Sequence, residues 1–268
     1  MKKIIFFDLD GTVYLNNKLL PYAKELFEYL NKEEITYVFL TNNSSTSKVN
    51  YLTKLSNLNI KTSLDNIYSS VDHLLEHLNK TTIKNIYLLG TSDLKDELVN
   101  KDYKIVSNYE KGLVDALVVG FDKELTYQKL KEASLYIQDG VRVIQTHLDK
   151  RCPYDNGYYI PDAGSIIDLL ISTTPIKDLI VLGKPHPDMI LNVLNKKGFK
   201  KEEALIIGDR FYTDVLCGVK ANVDSGLILT GESKRSDLND LDYKATYIFN
   251  DLKEVLNLLK KWYNFKRW

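Results

Sequence analysis

Five short runs, Ile4–Phe7, Thr36–Leu40, Leu179–Leu182, Ala204–Ile207 and Gly226–Leu229, are apolar on nearly every residue rather than on alternate ones. A strand with one face in water alternates polar and apolar side chains, whereas a run that is apolar throughout needs cover on both faces. Around these runs, apolar residues recur at helical spacing. They stand at 22, 23, 26, 27 and 30 within Pro21–Asn31, and at 189, 190, 191, 193 and 194 within Pro187–Lys197. Strands alternating with amphipathic helices predict an α/β fold built on a doubly wound parallel sheet.

The runs are unevenly spaced. The first two lie close together, as do the last three, and 143 positions separate Thr41 from Lys184. That stretch has strand and helix signals of its own at 85–89, 113–119, 127–136 and 141–146. It is long enough to fold as a second, smaller α/β domain. The expected organisation is a core of residues 1–69 and 178–268 interrupted by an inserted domain of residues 70–177. Leu252–Leu259 predicts a closing helix, and the basic, aromatic Lys260–Trp268 reads as a docked or frayed terminus rather than a membrane anchor.

Charge excludes some classes of partner. Lysine plus arginine and aspartate plus glutamate number 36 each, so no net charge draws the chain to nucleic acid or to an anionic membrane. No segment approaches the roughly 20 apolar residues of a membrane span. MKKIIFF resembles a secretory leader, but its apolar part covers only residues 4–7 before Asp8 interrupts it. The two cysteines, Cys152 and Cys217, lie far apart and outside any Cys/His cluster. Neither a disulfide framework nor a zinc site is indicated, and a reducing cytoplasm is the expected compartment.

Ligands of an open parallel sheet gather beyond the carboxyl ends of its strands. Ile4–Phe7 is followed by Asp8-Leu9-Asp10-Gly11-Thr12, and Thr36–Leu40 by Thr41-Asn42-Asn43-Ser44-Ser45. Leu179–Leu182 is followed by Gly183-Lys184-Pro185, and Ala204–Ile207 by Gly208-Asp209-Arg210-Phe211-Tyr212-Thr213-Asp214. Asp8 and Asp10, two apart, project to one side of an extended chain. Together with Asp209 and Asp214 they need a cation, and Mg²⁺ takes one or two carboxylates alongside waters and a substrate phosphate. Lys184 offers a compact positive charge for an anionic oxygen, and Thr41 and Asn42 add neutral donors. Acidic metal ligands, a lysine and a hydroxyl donor together describe phosphoryl transfer, with an aspartate as nucleophile and a second as general acid and base.

Taken in order, the four segments resemble the four motifs of the haloacid dehalogenase (HAD) superfamily. The insertion after the second motif, and the segments TNNSS, THLDKRCPYDNGYYIPDAGSI and GDRFYTDV, are similar to its NagD-like and nitrophenylphosphatase-like branch. The resemblance implies a Rossmann-like core with an inserted α/β cap. It implies a Mg²⁺-dependent phosphatase that hydrolyses phosphomonoesters of small metabolites through an aspartyl-phosphate. Asp8 would be the nucleophile and Asp10 the general acid and base. Thr41, Asn42 and Lys184 would bind the phosphoryl group. Asp8, the Asp10 carbonyl and Asp209 would hold Mg²⁺, with Asp214 orienting from behind. A homodimer formed through the cap is also implied. Ala221-Asn222-Val223-Asp224-Ser225 departs from the Ala-Gly common in the family at that point.

Two other functions use the same parts: a phosphotransferase or phosphomutase with a non-water acceptor, and a catalytically silent binding protein. The intact Asp8/Asp10 pair argues against the second. Among the histidines, His73 and His77 lie four apart and read as an exposed helix pair. His147 and Asp149 stand in the inserted segment as candidates to face the substrate.

Overall fold

Strand Ile4–Phe7 is buried along its whole length between two parallel neighbours, Thr36–Thr41 on one side and Ala204–Gly208 on the other. The sheet continues through Asp224–Ile228 and Tyr247–Phe249 at one end and ends with Ile67–Ser69 at the other. In chain order its six strands run 6-5-4-1-2-3, the doubly wound arrangement, with the order reversing between Ile4–Phe7 and Ala204–Gly208. Described in the computed structural model are residues 2–154, 157–238 and 242–264.

The continuous apolar runs are explained by cover on both faces. Ile5, Phe7, Tyr37 and Phe39 point to one side and pack with Leu26, Phe27 and Leu30 of helix Ala23–Lys32 and with Val255 and Leu259 of helix Leu252–Asn264. The Phe27 ring sits 5.2 Å from that of Phe7 and 4.9 Å from that of Phe39. Ile4, Phe6, Val38 and Leu40 point to the other side, against Met189, Ile190, Val193 and Leu194 of helix Asp188–Lys197. Gly198 ends that helix in the left-handed region, at φ 74°.

The chain divides into two compact units: residues 1–41, 51–68 and 184–268 form the first, and residues 42–50 and 69–183 the second. The second has a parallel sheet of its own, in the order Leu179–Val181, Arg142–Gln145, Ala116–Val119, Asn85–Leu89, Lys104–Val106. Helices Ser70–Leu78, Ser92–Val99, Tyr127–Gln138 and Ala163–Thr173 belong to it.

One expected strand changes place. Leu179–Leu182, read as part of the first sheet, pairs as Leu179–Val181 with Arg142–Gln145 at the edge of the second, with Leu179 opposite Val143. Its half-exposed side chains suit an edge position, unlike the fully buried Ile4–Phe7. The second unit therefore runs to Gly183, beyond the expected limit at residue 177. Lys260–Asn264 continue the last helix, and residues 265–268 of the expected tail lie outside the described residues. Neither cysteine is in a disulfide among the described residues. Among the described residues no helix is long and apolar enough to cross a membrane.

Candidate active site

The reversal of strand order brings two acidic strand ends side by side. Asp8 follows Ile4–Phe7 and Asp209 follows Ala204–Gly208, and the Asp8 N–H donates to the Ile207 carbonyl at 2.9 Å. Beyond Asp209 the chain makes one π-helical turn, Phe211–Val215, which carries Asp214 back across Gly208. A methyl group on Gly208 would lie 2.1 Å from Asp214 Cγ, so this approach needs glycine. Oxygen atoms of Asp8, Asp209 and Asp214 all lie within 4.8 Å of one another.

Lys184 supplies the opposing charge. Its buried ammonium donates to Asp8 Oδ1 at 2.5 Å, Asp214 Oδ1 at 2.7 Å and the Leu40 carbonyl at 2.8 Å. Burial works against its charge, but Asp214 and Asp8 outweigh burial and hold the ammonium above the ordinary lysine range. Asp214 is fully engaged, because its Oδ2 accepts from the Arg210 N–H at 3.0 Å. Asp209 is engaged through one oxygen: Oδ2 accepts from the Glu232 N–H at 2.7 Å, while Oδ1 is buried with no hydrogen-bond partner among the described residues.

These carboxylates resist ionisation in the absence of a cation. Burial, followed by the neighbouring charge of Asp214, pushes Asp209 up to about 7 even though Arg210 and Lys184 pull the other way. Burial also raises Asp8 well above the carboxylate range, against the pull of Lys184. A buried orphan oxygen of Asp209 beside Asp8 makes an all-oxygen donor set that fits a hard divalent cation. Asp214 has both oxygens engaged, one by the Lys184 ammonium and one by the Arg210 N–H.

Asp10 is raised by burial as well, in spite of the opposing charges of Lys54, Arg210 and Lys184. Thr41 is buried at the end of its strand, in the first unit. Asn42 begins the second unit, where its side chain donates to Asp149 Oδ2 at 3.2 Å and its carbonyl accepts from the Ser70 hydroxyl. Lys184 thus joins Asp8 and Asp214 directly, with an Asp209 oxygen within 4.8 Å of both carboxylates, whereas the Asn42 carboxamide is held by a residue of the inserted segment.

The histidine readings need correction. His73 is buried, not exposed, and its Nδ1 accepts from the Gly183 N–H at 3.2 Å. His147 is fully buried between Thr146, 2.9 Å from Nδ1, and Asp162, 2.8 Å from Nε2. Four further residues, not assigned a role from the sequence, stand at the site. Arg210 pairs with Glu232 at 3.0 Å, Thr12 has a buried hydroxyl without a hydrogen-bond partner among the described residues, and Lys54 lies 3.8 Å above the Tyr14 ring. Thr12 and Arg210 sit inside recognised motifs and were in reach of the sequence; Lys54 and Glu232 come from distant segments that folding brings in.

Known proteins resemble this chain over nearly its whole length. A haloacid dehalogenase-like hydrolase family model matches residues 5–104, and a HAD-hydrolase-like model matches residues 181–255. The acid sugar phosphatase of Staphylococcus epidermidis is 30% identical over 259 residues, covering 95% of this chain and 96% of that protein. The crystal structure of 4-nitrophenylphosphatase from Thermotoga maritima is similar at a TM-score of 0.87 and 37% identity, covering 96% of this chain and 97% of that one. NagD from E. coli shares the fold, with a TM-score of 0.84 at 24% identity over 94% of this chain and 98% of its own. The chain belongs to the haloacid dehalogenase-like hydrolases.

Proposed function

We propose that the protein is a Mg²⁺-dependent phosphatase that hydrolyses phosphomonoesters of small metabolites through an aspartyl-phosphate on Asp8. The observation that carries this reading is the buried Lys184 ammonium, held between Asp8 and Asp214 near an Asp209 whose buried Oδ1 has no hydrogen-bond partner among the described residues. Sugar phosphates come first among the substrates to test, because the curated relatives are named acid sugar phosphatases.

An Asp8 oxygen forms the new bond to phosphorus as the ester P–O bond breaks, and Asp10 gives its proton to the departing oxygen. Burial raises Asp10, which favours the protonated form needed for that step. Asp10 then takes a proton from water as the water oxygen attacks phosphorus and the bond to Asp8 breaks. Lys184, with Thr41 and Asn42, holds the oxygens of the transferring group. Asp8, the Asp10 carbonyl and Asp209 would hold Mg²⁺, which when bound offsets the negative charge of phosphate and carboxylates. The expected result is release of inorganic phosphate from 4-nitrophenyl phosphate and from a subset of sugar phosphates. EDTA should stop the release and Mg²⁺ restore it; turnover that persists in thoroughly demetallated protein would refute the metal reading. Added acceptor alcohols should leave phosphate release unchanged, which separates a hydrolase from a phosphotransferase.

Stability supplies a second prediction. Asp209 is raised from the usual carboxylate range to about 7, so the metal-free fold binds a proton there that the unfolded chain has already released. Its contribution therefore makes the metal-free protein less stable as pH rises through that interval. A cation must displace the proton, so its apparent affinity is expected to fall about tenfold per pH unit below about pH 7 for one displaced proton. Melting temperatures measured across a Mg²⁺ titration at pH 6, 7 and 8 check this. A Mg²⁺-induced rise that is independent of pH would remove Asp209 as a ligand.

A further inference from the structure

The loop after strand Asp224–Ile228 is built around Asp209. The Thr230 hydroxyl donates to the Gly11 carbonyl at 2.7 Å, one residue beyond Asp10. The Glu232 N–H donates to Asp209 Oδ2 at 2.7 Å, and the Ser233 N–H to the Asp209 carbonyl at 3.1 Å. The Ser233 hydroxyl accepts from the Phe211 N–H at 3.0 Å. The Glu232 side chain is tied down in turn, by Arg210 Nε at 3.0 Å and by the Tyr212 hydroxyl at 2.8 Å. Thr230, Glu232 and Ser233 thus bond to the segments that follow both acidic strands, and Gly231 packs against Asp209.

The grip treats the two oxygens of Asp209 differently. Oδ2 is capped by a main-chain N–H and walled by two glycines. A methyl group on Gly231 would lie 1.9 Å from Oδ2 and 2.4 Å from Cγ, and one on Gly11 would lie 2.5 Å from Oδ2. Oδ1 is buried and, among the described residues, has no hydrogen-bond partner. A carboxylate held this way offers a cation one oxygen and cannot swing round to chelate through both. Mg²⁺ takes single oxygens in a tight octahedron, whereas Ca²⁺ prefers more ligands and readily uses a carboxylate through both oxygens.

We propose that Thr230–Ser233 is a positioning clip that holds Asp209 with one oxygen presented, and so favours a small octahedral cation over a larger one. The proposal rests on the Mg²⁺ reading above and concerns how this chain holds its ligand, not whether it has one. Gly231 and Thr230 are positioning residues, since neither offers an atom to the cation.

The test is calorimetric and thermal-shift titration of the full chain with Mg²⁺ and with Ca²⁺, in wild type, Gly231→Ala and Thr230→Val. Gly231→Ala must displace the Asp209 carboxylate, and loss of a ligand's supporting contacts typically weakens metal binding about 10–100-fold. The Mg²⁺ dissociation constant is expected to rise by that factor and the Ca²⁺ constant by less, with kcat largely recovered at saturating Mg²⁺. Thr230→Val should shift the same ratio in the same direction by a smaller factor, and it carries the test if the alanine variant does not fold. A wild type that binds no Mg²⁺ would sink the metal reading itself. A wild type that binds, with folded variants that keep its Mg²⁺ constant and its Mg²⁺/Ca²⁺ ratio within about twofold, would overturn the clip alone. Equal weakening of both ions would overturn the selectivity.

Discussion

Asp8→Asn is expected to lower kcat for phosphomonoester hydrolysis by roughly four orders of magnitude or more, the scale seen when a nucleophile is removed. The amide cannot form the acyl-phosphate, and the neighbouring carboxylates are fixed in other roles: Asp214 has both oxygens bonded, and Asp209 is held through Oδ2 by the Glu232 N–H. The fold is expected to survive. Asparagine keeps an oxygen where Asp8 Oδ1 meets Lys184, and it removes a carboxylate that burial already raises well above its usual range. Relieving that penalty should leave the metal-free melting temperature equal to or above that of wild type at pH 8. Kinetics with 4-nitrophenyl phosphate, together with melting curves, separate the two effects. More than about one-hundredth of wild-type turnover in a folded variant would be too much for loss of a nucleophile and would take that role from Asp8.

Lys184→Met combines the largest expected losses in activity and stability. Methionine matches the length of lysine but leaves the Asp214 Oδ1 and the Leu40 carbonyl without the donor they share. It also leaves Asp8, Asp209 and Asp214 together without the ammonium that binds two of them. Breaking a buried ion pair by removing one partner costs about 3–5 kcal/mol. The sign of the pH dependence follows from the carboxylates. Asp8 and Asp209, already raised by burial, rise further without the lysine, and each destabilises the fold as pH rises through its folded value. The loss of melting temperature should therefore be larger at pH 8 than at pH 5.5, and Mg²⁺ should restore part of it. Without the charge on the transferring phosphoryl group, kcat/KM should fall by about 10³-fold or more. A variant as stable as wild type at pH 8, with a tenth of its activity, would mean that Lys184 is only a packing residue.

The polar segments after the strands are readable in the chain because each is local. An apolar run that stops at Asp8-Leu9-Asp10 or at Gly208-Asp209 states its own chemistry, and the sheet places both where the strand order reverses. The helix Ala23–Lys32 follows from its spacing, although Tyr22, counted with its apolar face, is exposed in a left-handed conformation at φ 66°.

Sequence alone determined the α/β class, the order of the motif segments and the carboxylate–lysine chemistry they carry. It did not determine which sheet Leu179–Val181 joins. A short apolar run specifies an extended backbone, but its partner is set by pairing with residues far away in the chain, here Arg142–Gln145. Folding also decided that His73 is buried against Gly183 and that Asp209 is left with one buried oxygen without a hydrogen-bond partner among the described residues. Those facts arise from atoms brought together across long stretches of chain: 22 positions separate Asp209 from Gly231, and 219 separate Gly11 from Thr230. The desolvation that raises Asp8 and Asp209 is likewise a property of that assembled environment and of no single segment.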